Sequence, residues 1–276
     1  MKKVIAALAV GAAVLACGVA EAKDWKKVRI GTEGAYAPWN ATDASGKLVG
    51  FEIDLANDLC KRMKVECEFV AQDWDGIIPA LQQGKYDAII SAMTITDERQ
   101  KILAFSIPYG TEPSSFVTNK NSPLAAMPKT ESLDVGTAPG KKAIEDLAKA
   151  LNGKTIGVQT STTQAAFLEK HLPKVAVRTY DKIDNAGIDM EAGRVDAVIG
   201  DRSVVEEIIK NDKSGNIVMF GPSLVRGVLG EGVGVGLRKK DTDLKALFDK
   251  AIAEANKDGT IAKLSNQHFG YDLSTK

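Results

Sequence analysis

Histidine and cysteine are scarce in this chain, which has two histidines and three cysteines among its 276 residues. His171 and His268 stand far apart, and neither the histidines nor the cysteines have the spacing of a metal site. The nucleophile motif G-x-S-x-G is absent as well. These absences favour a binding protein over an enzyme, and we expect neither a cofactor nor a metal.

An excess of charge of either sign is also missing. Lys plus Arg equals Asp plus Glu, at 36 each, which argues against a nucleic acid or an anionic membrane as partner. Beyond the N-terminus, no apolar run approaches the length of a membrane span. With 44% hydrophobic and 26% charged residues, the composition is that of a soluble globular protein of one large or two modest domains.

The N-terminus has the pattern of a secretory signal peptide. Two lysines precede an apolar run over residues 4–16, and an Ala-Glu-Ala cleavage signal ends at Ala22. We therefore predict that residues 1–22 are a signal peptide, cleaved after Ala22, and that the mature chain is exported. The alternative is lipoprotein processing at Cys17, since V-L-A-C-G loosely resembles a lipobox.

Two cysteines remain after this cleavage, Cys60 and Cys67. An even pair in an exported chain favours a disulfide. Residues 51–63 have the pattern of an amphipathic helix and residues 65–70 that of a strand, so the bridge would join a helix end to the next strand. The alternative is two free thiols, which export disfavours.

The chain contains a weak internal repeat. L-Q-Q-G-K-Y-D-A-I-I-S-A from Leu81 corresponds to M-E-A-G-R-V-D-A-V-I-G-D from Met190. Both copies predict a helix end, a capping glycine, a basic residue, Asp-Ala and a buried strand. The opening strands, residues 28–31 and 154–158, also correspond. This repetition indicates two α/β lobes with similar sheets; the alternative is coincidence, because such a helix-to-strand join is common.

Two segments are predicted to cross between the lobes and to form a two-stranded hinge. The first crosses over residues 106–118, and the glycine-rich strand from Gly230 returns. Its spacing, G-x-G-x-G-x-G, differs from the G-x-G-x-x-G of dinucleotide-binding proteins. The predicted boundaries are residues 23–113 plus 227–276 for lobe 1 and 114–226 for lobe 2.

Two further predictions concern the surface of these lobes. Residues 119–152, rich in Lys, Pro and Ala, are expected to form a loop and a surface helix. The last helices, over residues 243–257 and 260–269, are expected to pack on lobe 1.

Residues 84–99 predict a buried strand followed by a hydroxyl-rich loop that enters a helix. Loops at this end of a strand are where α/β proteins bind ligands. Ser91, Thr94 and Arg99 lie in this loop and helix. Hydroxyls, backbone N–H groups and a guanidinium are what a carboxylate needs when it leaves water. We therefore predict that this stretch binds the carboxylate of a small molecule.

Aromatic and acidic residues follow two other predicted strands. Tyr36 and Trp74 would form an aromatic wall on either side of a flat or aliphatic ligand chain, with cation–π attraction if the ligand carries a guanidinium. The alternative for Trp74 is core packing or a hydrophobic staple. Glu33 would accept hydrogen bonds from a cationic ligand group; the alternative is a solvated loop acid.

Lobe 2 supplies two matching features. The segment Q-T-S-T-T-Q, residues 159–164, predicts an anion site at a helix start; the alternative is ordinary N-capping, which needs one hydroxyl. Asp201 ends the second copy of the repeat and would bind an ammonium group opposite Arg99. The alternative is a surface pair with Arg202. A carboxylate at Arg99 and an ammonium at Asp201 describe an α-amino acid.

Five stretches together resemble the periplasmic polar-amino-acid-binding proteins of ABC importers. They are I-G-T-E-G-A-Y-A-P, G-F-E-I-D-L-A-N-D-L-C, D-A-I-I-S-A-M-T-I-T-D-E-R, G-R-V-D-A-V and G-V-G-V-G-L-R. The resemblance covers nearly all of the predicted mature chain and implies a two-lobed type II α/β fold with a membrane permease as partner. Members also carry a disulfide where Cys60 and Cys67 stand. The chain looks closest to the lysine/arginine/ornithine, histidine and opine binders.

The resemblance implies a role for each candidate residue around the amino-acid backbone. Arg99 would hold the α-carboxylate bidentately, helped by Thr94 and by the backbone near Ser91 and Thr162. Asp201 would take the α-ammonium, assisted by Ser91 or Thr94.

Other residues would surround the ligand side chain. Tyr36 and Trp74 would flank it, Glu33 would meet its distal cation, and Gln164 would line the pocket together with Gln159.

Three departures from the basic-amino-acid binders bear on the ligand. Ala92 stands where they often have a second serine, Glu33 replaces their aspartate, and Trp74 replaces a smaller aromatic residue. Glu33, Trp74 and the inserted stretch before Lys154 favour an opine. Asp201 favours an amino acid, because a free α-ammonium suits an aspartate better than a substituted amine does. We predict arginine, lysine, ornithine or histidine as ligand, with an opine as the alternative.

The same fold also resembles periplasmic dehydratases that act on small carboxylic acids. In such an enzyme, Glu33 or Asp201 would serve as acid or base. A ligand-sensing module for a membrane receptor is a further alternative. We expect a monomer that binds and releases its ligand without turnover.

Overall fold

The computed structural model of the protein describes residues 25–275. Over these residues the chain forms an α/β structure with two large sheets flanked by helices, as predicted. The predicted signal peptide, its cleavage after Ala22 and the alternative processing at Cys17 lie outside the described residues. Within residues 25–275, every helix falls short of the length and apolar character that a membrane crossing needs.

The elements follow one another in an alternating order. The strands are β1 (Lys27–Thr32), β2 (Ala35–Tyr36), β3 (Asn40–Thr42), β4 (Leu48–Val49), β5 (Glu66–Ala71), β6 (Ala88–Ile89), β7 (Ala104–Phe105), β8 (Ser114–Asn119), β9 (Thr130–Asp134), β10 (Thr155–Gln159), β11 (Ala176–Tyr180), β12 (Ala197–Asp201), β13 (Ile217–Val225) and β14 (Gly236–Leu237). The α-helices are α1 (Phe51–Met63), α2 (Ile77–Gln82), α3 (Asp97–Gln100), α4 (Ala138–Ala150), α5 (Thr163–His171), α6 (Ile183–Glu191), α7 (Arg202–Asn211), α8 (Thr242–Lys257) and α9 (Thr260–Phe269). Short 3₁₀ helices lie at Trp74–Gly76, Pro123–Ala126 and Gly227–Leu229.

The two large sheets share one strand plan. The first sheet has the order β5-β1-β6-β14-β7, with β1 parallel to β5 and β6, and β14 antiparallel to β6. The second sheet has the order β11-β10-β12-β8-β13-β9, with β10 parallel to β11 and β12, and β8 antiparallel to β12. In both sheets, the antiparallel strand next to the three parallel strands is the first strand after the chain crosses from the other sheet. This strand is β14 in the first sheet and β8 in the second.

The two crossing segments run side by side, in agreement with the predicted hinge. Gly110 on the outgoing segment and Val233 on the returning segment form an antiparallel bridge, with the Val233 N–H donating to the Gly110 carbonyl at 2.8 Å. The first sheet takes its strands from before the outgoing and after the returning segment, and the second sheet from between them. We therefore propose residues 23–113 plus 227–276 as lobe 1 and residues 114–226 as lobe 2.

Helix α1 and strand β5 illustrate how local sequence builds lobe 1. Phe51, Leu55 and Leu59 recur every four residues along α1 and are fully buried, so one face of the helix packs on the core. The Cys60–Cys67 disulfide, with Cα atoms 6.2 Å apart, joins the end of α1 to β5. The predicted disulfide is thereby confirmed. Helices α8 and α9 pack against α1, also as predicted.

The repeat is confirmed by the backbone of both copies. Helices α2 and α6 each end just before a glycine, Gly84 or Gly193, with φ of 78° and 70° respectively. The next N–H in each copy donates to a carbonyl five residues back, at 3.0 Å from Lys85 and at 2.8 Å from Arg194. This left-handed turn favours glycine because a side chain would strain it.

The aspartate of each copy ties its strand to the first strand of the same lobe. Asp87 accepts a hydrogen bond from the Arg29 backbone N–H at 3.1 Å, and Asp196 accepts one from the Thr155 N–H at 2.8 Å. Asp87 also pairs with the Arg29 guanidinium at 3.0 Å and with buried Arg238 at 3.2 Å. Asp196 pairs with a partly exposed lysine.

Two expectations about extended segments need correction. Residues 119–152 contain the predicted helix as α4, but Thr130–Asp134 form β9, which pairs in parallel with β13 at the edge of the second sheet. The segment T-E-S-L-D is largely exposed and lacks apolar alternation, so its pairing partner, not its own pattern, makes it a strand. The strand predicted from Gly230 is confined to β14, preceded by the bridge at Val233.

Candidate ligand-binding site between the lobes

The predicted binding residues meet around one cavity between the two lobes. The empty space between these residues is about 280 Å³, part of which is open to solvent. Thr163, which the sequence analysis included in the segment 159–164 but did not single out, also lines it. The predicted lining residues are Glu33, Tyr36, Trp74, Ser91, Ala92, Thr94, Arg99, Gln159, Thr162, Gln164 and Asp201.

Arg99 lies in α3 and provides the cationic wall. Its Nη1 donates to the Thr94 carbonyl at 2.9 Å, and its Nη2 donates to the Ser161 carbonyl of lobe 2 at 3.3 Å. The guanidinium carbon lies 5.2 Å from the centre of the Trp74 ring, within range of cation–π attraction. Burial lowers the pKa of Arg99 to about 10, against the opposing charge of Asp201. The guanidinium therefore stays charged at neutral pH and has further N–H donors for an anion.

The turn at Ser91 and Ala92 is supported by a buried acid. Ala92 has a φ of 45°, a left-handed conformation that side-chain-bearing residues seldom adopt, and its N–H donates to Glu52 Oε1 at 2.7 Å. Glu52 is fully buried and also accepts from Asn40 and Tyr109; burial raises its pKa, and these bonds oppose the rise. Sequence reasoning missed Glu52, although an acid on the buried face of α1 is the signal that would have found it.

Glu33 lies at the cavity wall just beyond β1. Only 8% of its surface is exposed, so the alternative of a solvated loop acid is wrong. Its backbone N–H donates to Ser91 Oγ at 2.9 Å, and its carboxylate accepts from Gln159 Nε2 of lobe 2 at 2.7 Å. Burial raises the pKa of Glu33 to about 7, while the Gln159 bond and the charge of Lys182 oppose the rise. A buried acid of this kind is a candidate partner for a cation that enters the cavity.

Asp201 ends β12 and provides the acidic wall on lobe 2. It accepts hydrogen bonds from the Tyr36 hydroxyl at 3.1 Å and from Gln164 Nε2 at 2.8 Å. Burial raises the pKa of Asp201 to about 6, and these two bonds oppose the rise. The alternative of a surface pair with Arg202 is wrong, since Arg202 pairs with Glu206 at 2.8 Å.

The hydroxyl-rich segment before α5 caps that helix. Thr162 Oγ1 accepts from the Ala165 N–H at 3.2 Å and donates to the Gln159 carbonyl at 2.8 Å. Its side chain therefore performs ordinary N-capping, which was the alternative to an anion site. Gln164 Nε2 donates to Ser114 Oγ at 2.9 Å as well as to Asp201. Any contact of these residues with a ligand stays a prediction.

Trp74 serves both the core and the cavity. It packs with Ile77 in an apolar cluster of lobe 1, as the core-packing alternative predicted, and it also lines the cavity. Its Nε1 donates to the Thr160 carbonyl of lobe 2 at 3.1 Å, and Ser161 Oγ donates to Asp75 at 3.0 Å. These bonds join the lobes at the cavity rim, so the site is in a closed conformation.

The cavity chemistry suits a small zwitterion with a further cationic group. Arg99 is the cation among its lining residues, and Glu33 and Asp201 are its acids. Across residues 25–275, no group of three or more His, Cys, Asp or Glu side chains has an arrangement that could hold a metal ion.

The chain belongs to the bacterial extracellular solute-binding proteins, family 3, because the profile of that family matches residues 28–271. It is 41% identical over 271 residues to the octopine-binding periplasmic protein of Rhizobium meliloti, covering 90% of this chain and 92% of that protein. It is 36% identical over 277 aligned positions to the lysine/arginine/ornithine-binding periplasmic protein of Escherichia coli (strain K12), covering 99% of both.

A solved structure extends the similarity to three dimensions. An ancestral arginine-binding protein bound to arginine matches with a TM-score of 0.75 and 34% identity, covering 89% of this chain and 99% of that chain. The two-lobed type II fold that the sequence motifs implied is confirmed, and both curated relatives are binding proteins.

Proposed function

We propose that the protein is a periplasmic solute-binding protein that captures a basic α-amino acid and delivers it to an ABC transporter permease. One observation carries this proposal: Arg99 and Asp201 face the same closed cavity from different lobes. A carboxylate bound at Arg99 and an ammonium bound at Asp201 would pair both charges of the ligand's amino-acid backbone with an opposite charge of the site.

The ligand side chain would lie between the aromatic rings of Tyr36 and Trp74, with its cation at Glu33. A cationic group there favours the charged carboxylate and would lower the pKa of Glu33 from its raised value. The relative named for lysine, arginine and ornithine supports a ligand of this class. Arginine, lysine, ornithine and histidine are therefore our first candidates.

An opine is the second candidate. The supporting observation is the 41% identity to an octopine-binding protein, which exceeds the 36% identity to the basic-amino-acid binder. Octopine retains a guanidinium and a carboxylate, so Arg99 and Glu33 would keep their roles. Asp201 would then face a substituted amine.

The two lobes would close over the ligand by a hinge motion. The permease would then recognise the closed form of the protein. We propose that the protein is a monomer without enzymatic activity. It would be exported by its signal peptide, which would be cleaved after Ala22. The mass of the mature N-terminus tests the export route; a diacylglyceryl group on Cys17 would replace this route with lipoprotein processing.

A thermal-shift screen tests the ligand class, because a ligand that binds the folded state alone raises the melting temperature. The panel is the twenty amino acids, ornithine, citrulline, octopine and nopaline. We expect shifts with basic amino acids. Shifts confined to opines would replace our first candidate with the second, and turnover of a bound carboxylic acid would refute the non-enzymatic proposal.

A further inference from the structure

Asp201 occupies the N-cap position of α7 but does not use its side chain to cap that helix. Its φ of −61° and ψ of 144° are the extended values typical of an N-cap residue. An aspartate in this position ordinarily accepts a hydrogen bond from the N–H two or three residues later. The Asp201 carboxylate instead accepts from Tyr36 and Gln164 in the cavity.

The outgoing crossing segment caps α7 in its place. Glu112 Oε1 accepts from the backbone N–H of Ser203, the second residue of α7, at 2.7 Å, and Oε2 accepts from the Ser203 hydroxyl at 2.8 Å. The carbonyl of the adjacent Pro113 accepts from the Arg202 N–H at 2.9 Å. Two of the first-turn N–H groups of α7, those of Arg202 and Ser203, are thus paired with the crossing segment.

Glu112 is itself held by lobe 1. Its carboxylate accepts from Trp39 Nε1 at 3.1 Å and from the Tyr271 hydroxyl at 2.6 Å. Glu112 and Asp201 both lie at the start of α7, and burial together with the nearby charge of Asp201 raises the pKa of Glu112 to about 7. The positive end of the helix dipole favours an acid there.

We propose that Glu112 is a positioning residue for ammonium recognition, because it caps α7 and thereby keeps the Asp201 carboxylate turned into the cavity. This inference rests on the proposed function in so far as Asp201 binds the ligand ammonium. Without Glu112, the Ser203 N–H lacks its acceptor, and Asp201 is placed to rotate and cap its own helix.

The test compares L-arginine with δ-guanidinovalerate, which lacks the α-amino group, by calorimetry. The wild-type protein should prefer arginine, and Asp201→Asn should lose most of that preference. Glu112→Ala should lower the preference by about tenfold, the effect of one hydrogen bond to a charged group. Glu112→Asp should do the same, because its shorter side chain keeps the charge but cannot reach Ser203. Glu112→Gln keeps an acceptor oxygen at full length and should stay within about threefold of the wild-type preference.

If Glu112 has only a structural role, its substitution should lower the affinities for both probes equally, so that the preference for arginine stays unchanged. An unchanged preference in Glu112→Ala and Glu112→Asp would therefore overturn the proposal. A crystal structure of Glu112→Ala gives a readout that does not depend on the ligand. We expect the Asp201 carboxylate within hydrogen-bond distance of the Ser203 or Val204 N–H; a carboxylate still bonded to Tyr36 and Gln164 contradicts the inference. If the wild-type protein binds neither probe, the proposed ligand fails, while this structure still decides the capping role.

Discussion

The two halves of the chain use the same structural unit and differ in the residues that it presents to the cavity at its end. Ile30 pairs with Ala88 in the first sheet, and Ile156 pairs with Ala197 in the second, so the two copies have the same register. The shared parts are the capping glycine, the aspartate that ties two strands together and the buried strand. The unit then ends at Ala92 in lobe 1 and at Asp201 in lobe 2. The parts that hold the fold are shared, and the residues that face the cavity have diverged.

A second pair of equivalent residues meets across the cavity. Glu33 follows Ile30 by three residues, as Gln159 follows Ile156, and Gln159 donates to Glu33 at 2.7 Å. One member carries an acid and the other its neutral amide counterpart. The cavity thus obtains its charge pattern from small differences between two equivalent sheet ends.

The largest expected effect comes from the cation that follows the first copy. Arg99→Ala should abolish measurable binding of a carboxylate ligand. The ligand carboxylate would then be buried without its cationic partner, which costs about 3–5 kcal/mol. Isothermal titration calorimetry with L-arginine measures this loss. Lys101→Ala removes an exposed cation one residue beyond α3 and is the matched control. An Arg99→Ala variant that binds like the control would refute the carboxylate role.

The next comparison concerns the aspartates of the two copies. Asp87→Ala should lower the free energy of unfolding by about 3 kcal/mol, because it removes the acceptor of the Arg29 N–H and guanidinium and one of the two acids paired with buried Arg238. Arg238 keeps its pair with Asp241 at 2.6 Å. Asp196→Ala should cost about 1–2 kcal/mol, because its lysine partner is partly exposed. Urea denaturation of both variants measures the difference. Equal losses would contradict this prediction and would mean that the two aspartates contribute equally to the free energy of unfolding.

Glu33→Gln places glutamine at both equivalent positions, 33 and 159, and removes a titrating group. A buried acid whose pKa rises from 4.5 to about 7 binds its proton more tightly in the folded state. Its contribution to stability is therefore greatest below pH 4.5 and falls as the pH rises toward 7. Relative to Glu33→Gln, the ligand-free wild type should lose up to about 3 kcal/mol over this range. Urea denaturation at several pH values tests this; parallel pH curves for the two proteins would contradict it.

The smallest effect should be equal in the two copies. Gly84 and Gly193 have positive φ, and an added Cβ would meet open space at both positions. Gly84→Ala and Gly193→Ala should each cost about 1–2 kcal/mol from backbone strain alone. Thermal unfolding of the two variants measures both costs. A clearly larger loss in one copy would show that the turns differ in a way the backbone does not explain.

Local sequence predicted the elements with strong patterns of their own. Helix α1 occupies the predicted residues because its apolar positions recur every four residues. Strand β9 was missed because an exposed edge strand carries little apolar signal, and its pairing with β13 depends on residues far away in the chain. The same reasoning explains which site residues the sequence predicted. Arg99 was predicted because it follows a hydroxyl-rich loop, whereas Glu52 was missed because it supports that loop from a distant helix, through the Ala92 N–H.

The sequence by itself determined the repeated unit, the disulfide pair, the family and the residues that line the cavity, because each depends on residue type and short spacing. Only the tertiary structure decided what those residues do to one another. It brought Glu33 to Gln159 and Asp201 to Tyr36 across the closed lobes. It also placed Glu112 at the start of α7, where a distant acid takes the cap that Asp201 would otherwise provide. Such contacts join residues about 90 or more positions apart, and hydrogen bonds of this reach follow from chain topology rather than from local pattern.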